Sequence, residues 1–214
     1  MLLVSSLACA SGTRVYSRGD TNLFIDTQKP NALWTLPAFD STMLPRTRPP
    51  RYPFAPDDPG LDVFLRGLQQ HYDVRVVRVG AEEEVYRALD TTPDLSLWVL
   101  SGHGDGFSAK LGRGAHERTS IDVGDRELSG HTRTLLSDAV VYLDTCDAGT
   151  DRLAAWNLAN AVAAYTGRVV YSSDATLRWE WVTVTSWYPF SIRAAGFMRD
   201  WSGRYRDATY IAHP

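Results

Sequence analysis

The chain has 214 residues, enough for one domain of generous size with a real core, which excludes a disulfide-stapled miniprotein. Lys and Arg total 22 against 25 Asp and Glu, and a formal charge of -3 leaves no electrostatic footprint for nucleic acid or an anionic membrane. Hydrophobic residues at 44% and charged residues at 22% exclude a disordered chain, and two cysteines, Cys9 and Cys146, exclude a thiolate metal cluster.

Residues 1–10 are apolar and end in small side chains, as a secretory leader does, yet no basic residue precedes the apolar stretch. The expectation is a buried first strand or a start inside a longer gene, with the cytoplasm favoured over export. No apolar run reaches the roughly 20 residues of a membrane-spanning helix. Eight of the eleven prolines lie between Pro30 and Pro59, among Arg46, Arg48 and Arg51. Proline lacks the amide that a helix or inner strand needs, so this stretch predicts loop. Residues 23–26 and 32–36 compete as the opening strand. The chain divides into an N-terminal segment, 1–56, with a proline-rich arm and a candidate first strand, and a main domain, 57–214.

From residue 57 the pattern is regular. Leu61, Phe64, Leu65, Leu68 and Tyr72 recur at helical spacing behind Asp57, Asp58 and Pro59. Residues 74–79 predict a strand, 82–89 a short helix and 95–100 a strand buried on both faces. Residues 104–138 read as loops with a hairpin. Residues 139–143 predict a strand, 151–165 an apolar helix closed by Gly167, and 168–171 a strand. Alternation around Trp179, Trp181, Thr183 and Thr185 suits an exposed strand or hairpin. Phe190, Ala194, Phe197, Met198 and Trp201 predict a last helix opened by Pro189. Strands alternating with helices give an α/β fold, a mostly parallel sheet with helices on both faces.

In such sheets the binding crevice lies beyond the carboxyl ends of the strands. Two apolar runs end alike: Leu100 is followed by Ser101-Gly102-His103-Gly104, and Leu143 by Asp144-Thr145-Cys146-Asp147-Ala148-Gly149. His103 and Cys146 are each the third residue past the last leucine, so neighbouring parallel strands would bring them side by side. An imidazole accepts a thiol proton and later protonates a leaving amine, and the thiolate attacks. The amides of Gly104 and Cys146 could form an oxyanion hole, and a helix starting near Asp151 would favour the thiolate.

These residues resemble the His-Gly and Asp-x-Cys-x-x-Gly motifs of the caspase-like cysteine peptidases, the clan of caspases, metacaspases, clostripain, gingipains and legumain, with the bacterial metacaspase-like members nearest in look. The resemblance covers roughly residues 57–175. It implies a caspase-like three-layer sandwich, His103 as general base and acid, Cys146 as nucleophile, and a protein or peptide substrate. An acid at the place of Asp144 selects Arg or Lys in metacaspase-like relatives. The resemblance thus implies cleavage after a basic residue, with Ser172, Ser173 and Asp174 at the next strand end as further pocket wall.

Blander readings stand beside these. A cysteine at a strand end is usually packed, and Asp144 and Asp147 could be solvated loop acids or caps. His71, His116, His131 and His213 lack zinc spacing, so no metal is expected. Asp122, Asp125 and Glu127 could bind calcium as an activator, though scattered loop acids usually do not. Trp179, Trp181 and Trp187 could line a groove or cover a sheet edge. There is no phosphate loop and no Gly-x-Ser-x-Gly elbow. The alternatives to a cysteine endopeptidase are a catalytically silent module of the same fold and a Cys-His amidase acting on a small substrate.

Overall fold

The computed structural model describes residues 14–16, 29–38, 59–112, 116–150, 156–176, 181–199 and 205–214. Strands β1 (Arg14–Tyr16) and β2 (Asn31–Pro37) come first, and β2 is buried at every position. Helix α1 (Pro59–His71) starts on a proline, whose missing amide is one the first turn leaves unbonded in any case. It buries Phe64 and Leu68 and leads into β3 (Asp73–Val79). Helix α2 (Glu82–Asp90) carries three glutamates in its first turn, where the helix dipole favours them, and buries Val85, Tyr86, Ala88 and Leu89. Strand β4 (Leu95–Ser101) is buried throughout, as its unbroken apolar run predicts.

A small antiparallel sheet comes next, made of β5 (His103–Gly104), β6 (Ser108–Lys110) and β7 (Ser120–Asp122), with the one-turn α3 (His116–Thr119) before its last strand. A 3-10 helix, Arg126–His131, precedes the long β8 (Leu135–Asp144). Helix α4 (Leu158–Thr166) is capped by Asn157, whose side chain accepts from the Asn160 amide, and is closed by Gly167 at φ 64, a left-handed angle that glycine takes without strain. Strands β9 (Val169–Ser173), β10 (Val182–Trp187), β11 (Phe190–Arg199), β12 (Tyr205–Asp207) and β13 (Thr209–Ala212) complete the described chain.

The main sheet runs β1-β3-β2-β4-β8-β9-β13. Every pairing in it is parallel except β9 with β13. Side chains alternate between two buried layers. One face carries Leu33, Trp98, Leu100, Val141, Leu143 and Val170 and packs on α2, α4 and the small sheet. The other carries Trp34, Leu97, Val99, Val140 and Tyr142 and packs on α1 and the β10–β11 hairpin, with Phe64, Trp187 and Phe190 between them. The molecule is therefore an α/β sandwich of three layers, with helices on both faces of a mostly parallel sheet.

Two expectations need correction, the last helix and the start of α4, and two open alternatives are decided. The last helix is the strand β11, and Phe190, Ile192 and Ala194 point inward while Arg193 is exposed. Apolar residues at 190 and 194 satisfy a period of two as well as a helical one, and pairing with β10 (Val184 with Ile192) decides between them. Residues 32–36 supply an inner strand, so the proline-rich stretch is not loop at its start; residues 23–26 and 39–58 lie outside the described residues. Helix α4 begins at Leu158 rather than near Asp151, because Asn157 caps it there; residues 151–155 lie outside the described residues. Trp187 covers α1 rather than lining a groove: a Cβ on Gly67 would fall 2.2 Å from its ring. Trp179 and Trp201 lie outside the described residues.

Candidate active site

Strands β4 and β8 are adjacent and parallel, and their last residues, Ser101 and Asp144, are register partners. His103 and Cys146 each stand two residues beyond that pair, so both leave the same end of the sheet. His103 is exposed and Cys146 half-buried. The Gly102 amide donates to the Asp144 carbonyl at 3.1 Å, which ties the His loop to the strand that carries the cysteine. The contact is closer two residues further on. A Cβ on Gly104 would lie 1.9 Å from Thr145 Oγ1 and 2.6 Å from the Ser108 carbonyl, so only glycine lets the two loops approach this far.

The His loop is a rigid hairpin. The Asp105 amide donates to the Ser108 carbonyl, and Asp105 Oδ1 accepts from the amides of Phe107 and Ser108, both at 2.9 Å. His103 faces Lys110 and Gly104 faces Ala109 across the pair. Because the Asp105 amide donates to the Ser108 carbonyl across the pair, antiparallel alternation makes Gly104 a non-bonded position, with its amide directed away from β6. The Cys loop is held by the Asp147 amide on the Ala175 carbonyl (3.2 Å) and the Gly149 amide on the Ser173 carbonyl (2.8 Å). Asp147 takes φ 59, an uncommon angle for a residue with a side chain.

Helix α4 fastens both loops. The Leu158 amide donates to the Gly106 carbonyl at 2.8 Å and the Ala159 amide to the Ala148 carbonyl at 3.1 Å, while Asn157 Nδ2 donates to the Thr150 carbonyl. Its leading amides are thus committed to the loop backbones, and the helix positions the cysteine loop instead of addressing the thiol.

Asp144 is buried, and its Oδ2 accepts from the Ser101 hydroxyl at 2.6 Å; Ser101 Oγ in turn accepts from Trp34 Nε1 at 2.7 Å. Burial pushes the Tyr142 hydroxyl well above its ordinary pKa, and the charges of Asp144 and Cys146 push it further. Ser101 and Trp34 were not legible as site residues, although Ser101 occupies in β4 the place that Asp144 occupies in β8.

Of the other wall residues, Ser173 shares a sheet face with Tyr171 and accepts from the Ala175 amide at 3.1 Å. Ser172 lies on the opposite face, with Val170, fully buried. Asp174 pairs with Arg206 Nη2 at 2.7 Å. Burial, then Asp174 and Asp105, raises the Asp147 carboxyl above the usual range.

Asp125 and Asp122 use carboxylate oxygens on the amides of Asp122 and Gly124, each at 2.6 Å. Burial, with Asp122, Glu82 and Glu127 nearby, pushes the Asp125 carboxyl up to about 7. Among the described residues no group of three or more His, Cys, Asp or Glu is arranged to hold a metal. His71 stacks on Trp187, and His131 stacks on Tyr86 and meets Asp90 at 2.8 Å. No helix among the described residues is long and apolar enough to cross a membrane.

No family model and no curated protein matches the chain. Among solved structures it is similar to gingipain R, described as an Arg-specific cysteine proteinase, with 15% identity and a TM-score of 0.40. The likeness covers 70% of this chain and 33% of that one, so the chain spans about a third of its length.

Proposed function

We propose that the protein is a cysteine endopeptidase with Cys146 as nucleophile and His103 as general base and acid, cleaving after Arg or Lys. The observation that carries this is the pairing of Ser101 with Asp144, which sets an imidazole and a thiol equally far past two adjacent parallel strands. His103 takes the thiol proton, and the thiolate adds to the scissile carbonyl. The amides of Gly104 and Cys146 stabilise the resulting oxyanion. Collapse breaks the C–N bond as His103 returns the proton to the departing amine, leaving a thioester. Water, giving a proton to His103, then hydrolyses the thioester, frees the acid and restores the thiol.

Asp144 supplies the preference for a basic residue. It is the acid next to the cysteine on the same strand end, and Ser101 and Trp34 fix its orientation. A buried carboxylate is favoured by a cationic partner, and a guanidinium offers two parallel hydrogen bonds. Ser172, Ser173 and Asp174 at the end of β9 are the further candidates for the pocket wall, with Asp174 paired to Arg206 Nη2.

Fluorogenic peptides ending in Arg, Lys, Asp and Asn test the assignment. Cleavage after Arg and Lys, abolished in both Cys146→Ala and His103→Ala, is expected. Turnover in either variant removes the dyad, and preference for Asp removes the pocket. No turnover by the wild type returns the choice to a silent module or a small-substrate amidase.

A further inference from the structure

Two aromatic side chains stand exposed where the His and Cys loops meet. Phe107 is 59% exposed and Trp156 48% exposed. The backbone around Phe107 is fixed on three sides. Its amide donates to Asp105 Oδ1 at 2.9 Å, its carbonyl accepts from the Val123 amide at 3.0 Å, and the preceding Gly106 carbonyl takes the Leu158 amide at 2.8 Å. Trp156 immediately precedes Asn157, which caps α4 and donates to the Thr150 carbonyl. The bond between Gly106 and Leu158 joins the two segments, so Phe107 and Trp156 stand close in the chain to one backbone contact, one on each side of it. A Cβ on Gly106 would lie 3.6 Å from Thr150 Cβ and 3.7 Å from the Asp147 carbonyl, which puts the hairpin turn directly on the Cys loop.

A rigid backbone that presents a large apolar ring to water loses little entropy when it binds, which is how aromatic anchors at interfaces act. The occupant is set by the chemistry next to it. His103 hands its proton to the departing amine, so the residue carrying that amine passes beside His103, which opens the hairpin that turns at Phe107. Asp105 accepts the Phe107 amide and Asp147 lies against Gly106, so an acidic side chain there meets carboxylates.

We propose that Phe107 and Trp156 form an apolar cradle for the substrate residue just after the scissile bond, selecting a side chain of leucine or phenylalanine size. This deepens the peptidase assignment and rests on it. The full chain carrying Cys146→Ala binds peptides without cutting them, and anisotropy of labelled peptides with Arg followed by Leu, Phe, Gly or Asp reads the cradle. The Leu and Phe peptides should bind roughly tenfold more tightly than the Gly and Asp peptides. Adding Phe107→Ala or Trp156→Ala should bring that ratio toward one. Equal affinity across the series, discrimination that survives both substitutions, or no binding of any peptide overturns the proposal. Cleavage of the same peptides by the wild type is read separately. Selective binding without cleavage removes the peptidase assignment and leaves the cradle as a peptide-binding site.

Discussion

Gly104 occupies a place that no side chain can share, since even a methyl group would overlap Thr145 Oγ1 and crowd the Ser108 carbonyl. Gly104→Ala should therefore part the two loops and lower kcat/KM by roughly 100-fold, the loss a shift of about 1 Å brings to a catalytic constellation. Unchanged kinetics in a folded variant contradict the close approach. Ser101 makes a second prediction. Ser101→Ala removes a buried hydroxyl that accepts from Trp34 Nε1 and donates to Asp144 Oδ2, which costs stability by about 1–3 kcal/mol in chemical denaturation. It should also raise KM for Arg peptides more than it lowers kcat, and Ser101→Thr, keeping the hydroxyl, should restore part of the difference. A fall in kcat alone would show that Ser101 acts on the dyad and not on Asp144. The motif around His103 displayed this serine, but its function was illegible because a hydrogen bond across two strands depends on register, which one strand's sequence does not contain.

The elements that lead to His103 and Cys146 were the most legible part of the chain. The apolar runs before Ser101 and Asp144 leave no polar face, and strands buried on both sides are what the structure holds there. Strand β11 was not legible as a strand, because Phe190 and Ala194 fit either period and the deciding partner, β10, is an antiparallel neighbour. The start of α4 was displaced for a different reason: Asn157, which the apolar pattern places inside a helix starting near Asp151, instead caps the described helix by accepting from the Asn160 amide. That cap fastens the cysteine loop as well. Asn157→Ala should lower stability by about 1 kcal/mol for the lost cap and reduce turnover, because the Thr150 carbonyl loses its donor. Melting and kcat measured on one preparation check both effects; a loss of stability with full turnover would make the residue a cap and nothing more.

Across the whole molecule, the two buried layers hold the sheet while the site gathers at one end of it, and the titration of Asp125, in the loop after β7, offers a readout of stability. Asp125 keeps its proton to about pH 7 when folded, whereas an unfolded aspartate releases it near ~4. Between those values the folded state binds the extra proton, so stability falls as pH rises from about 4 to about 7 and levels off above. The raised Glu82 carboxyl acts with the same sign. Asp125→Asn, which keeps an oxygen for the Asp122 amide, should flatten the slope of unfolding free energy against pH in that window; an unaltered slope contradicts the buried carboxyl. Cys9 lies outside the described residues, and Cys9→Ser is expected to leave turnover unchanged. The most direct measurement of the central claim is labelling of the wild-type chain with an electrophilic peptide ending in Arg, followed by mass mapping of the adduct. A single adduct on Cys146, lost in His103→Ala and weakened in Asp144→Ala, is the expected result. Labelling of Cys9, or equal labelling of Cys146 with and without His103, would contradict it.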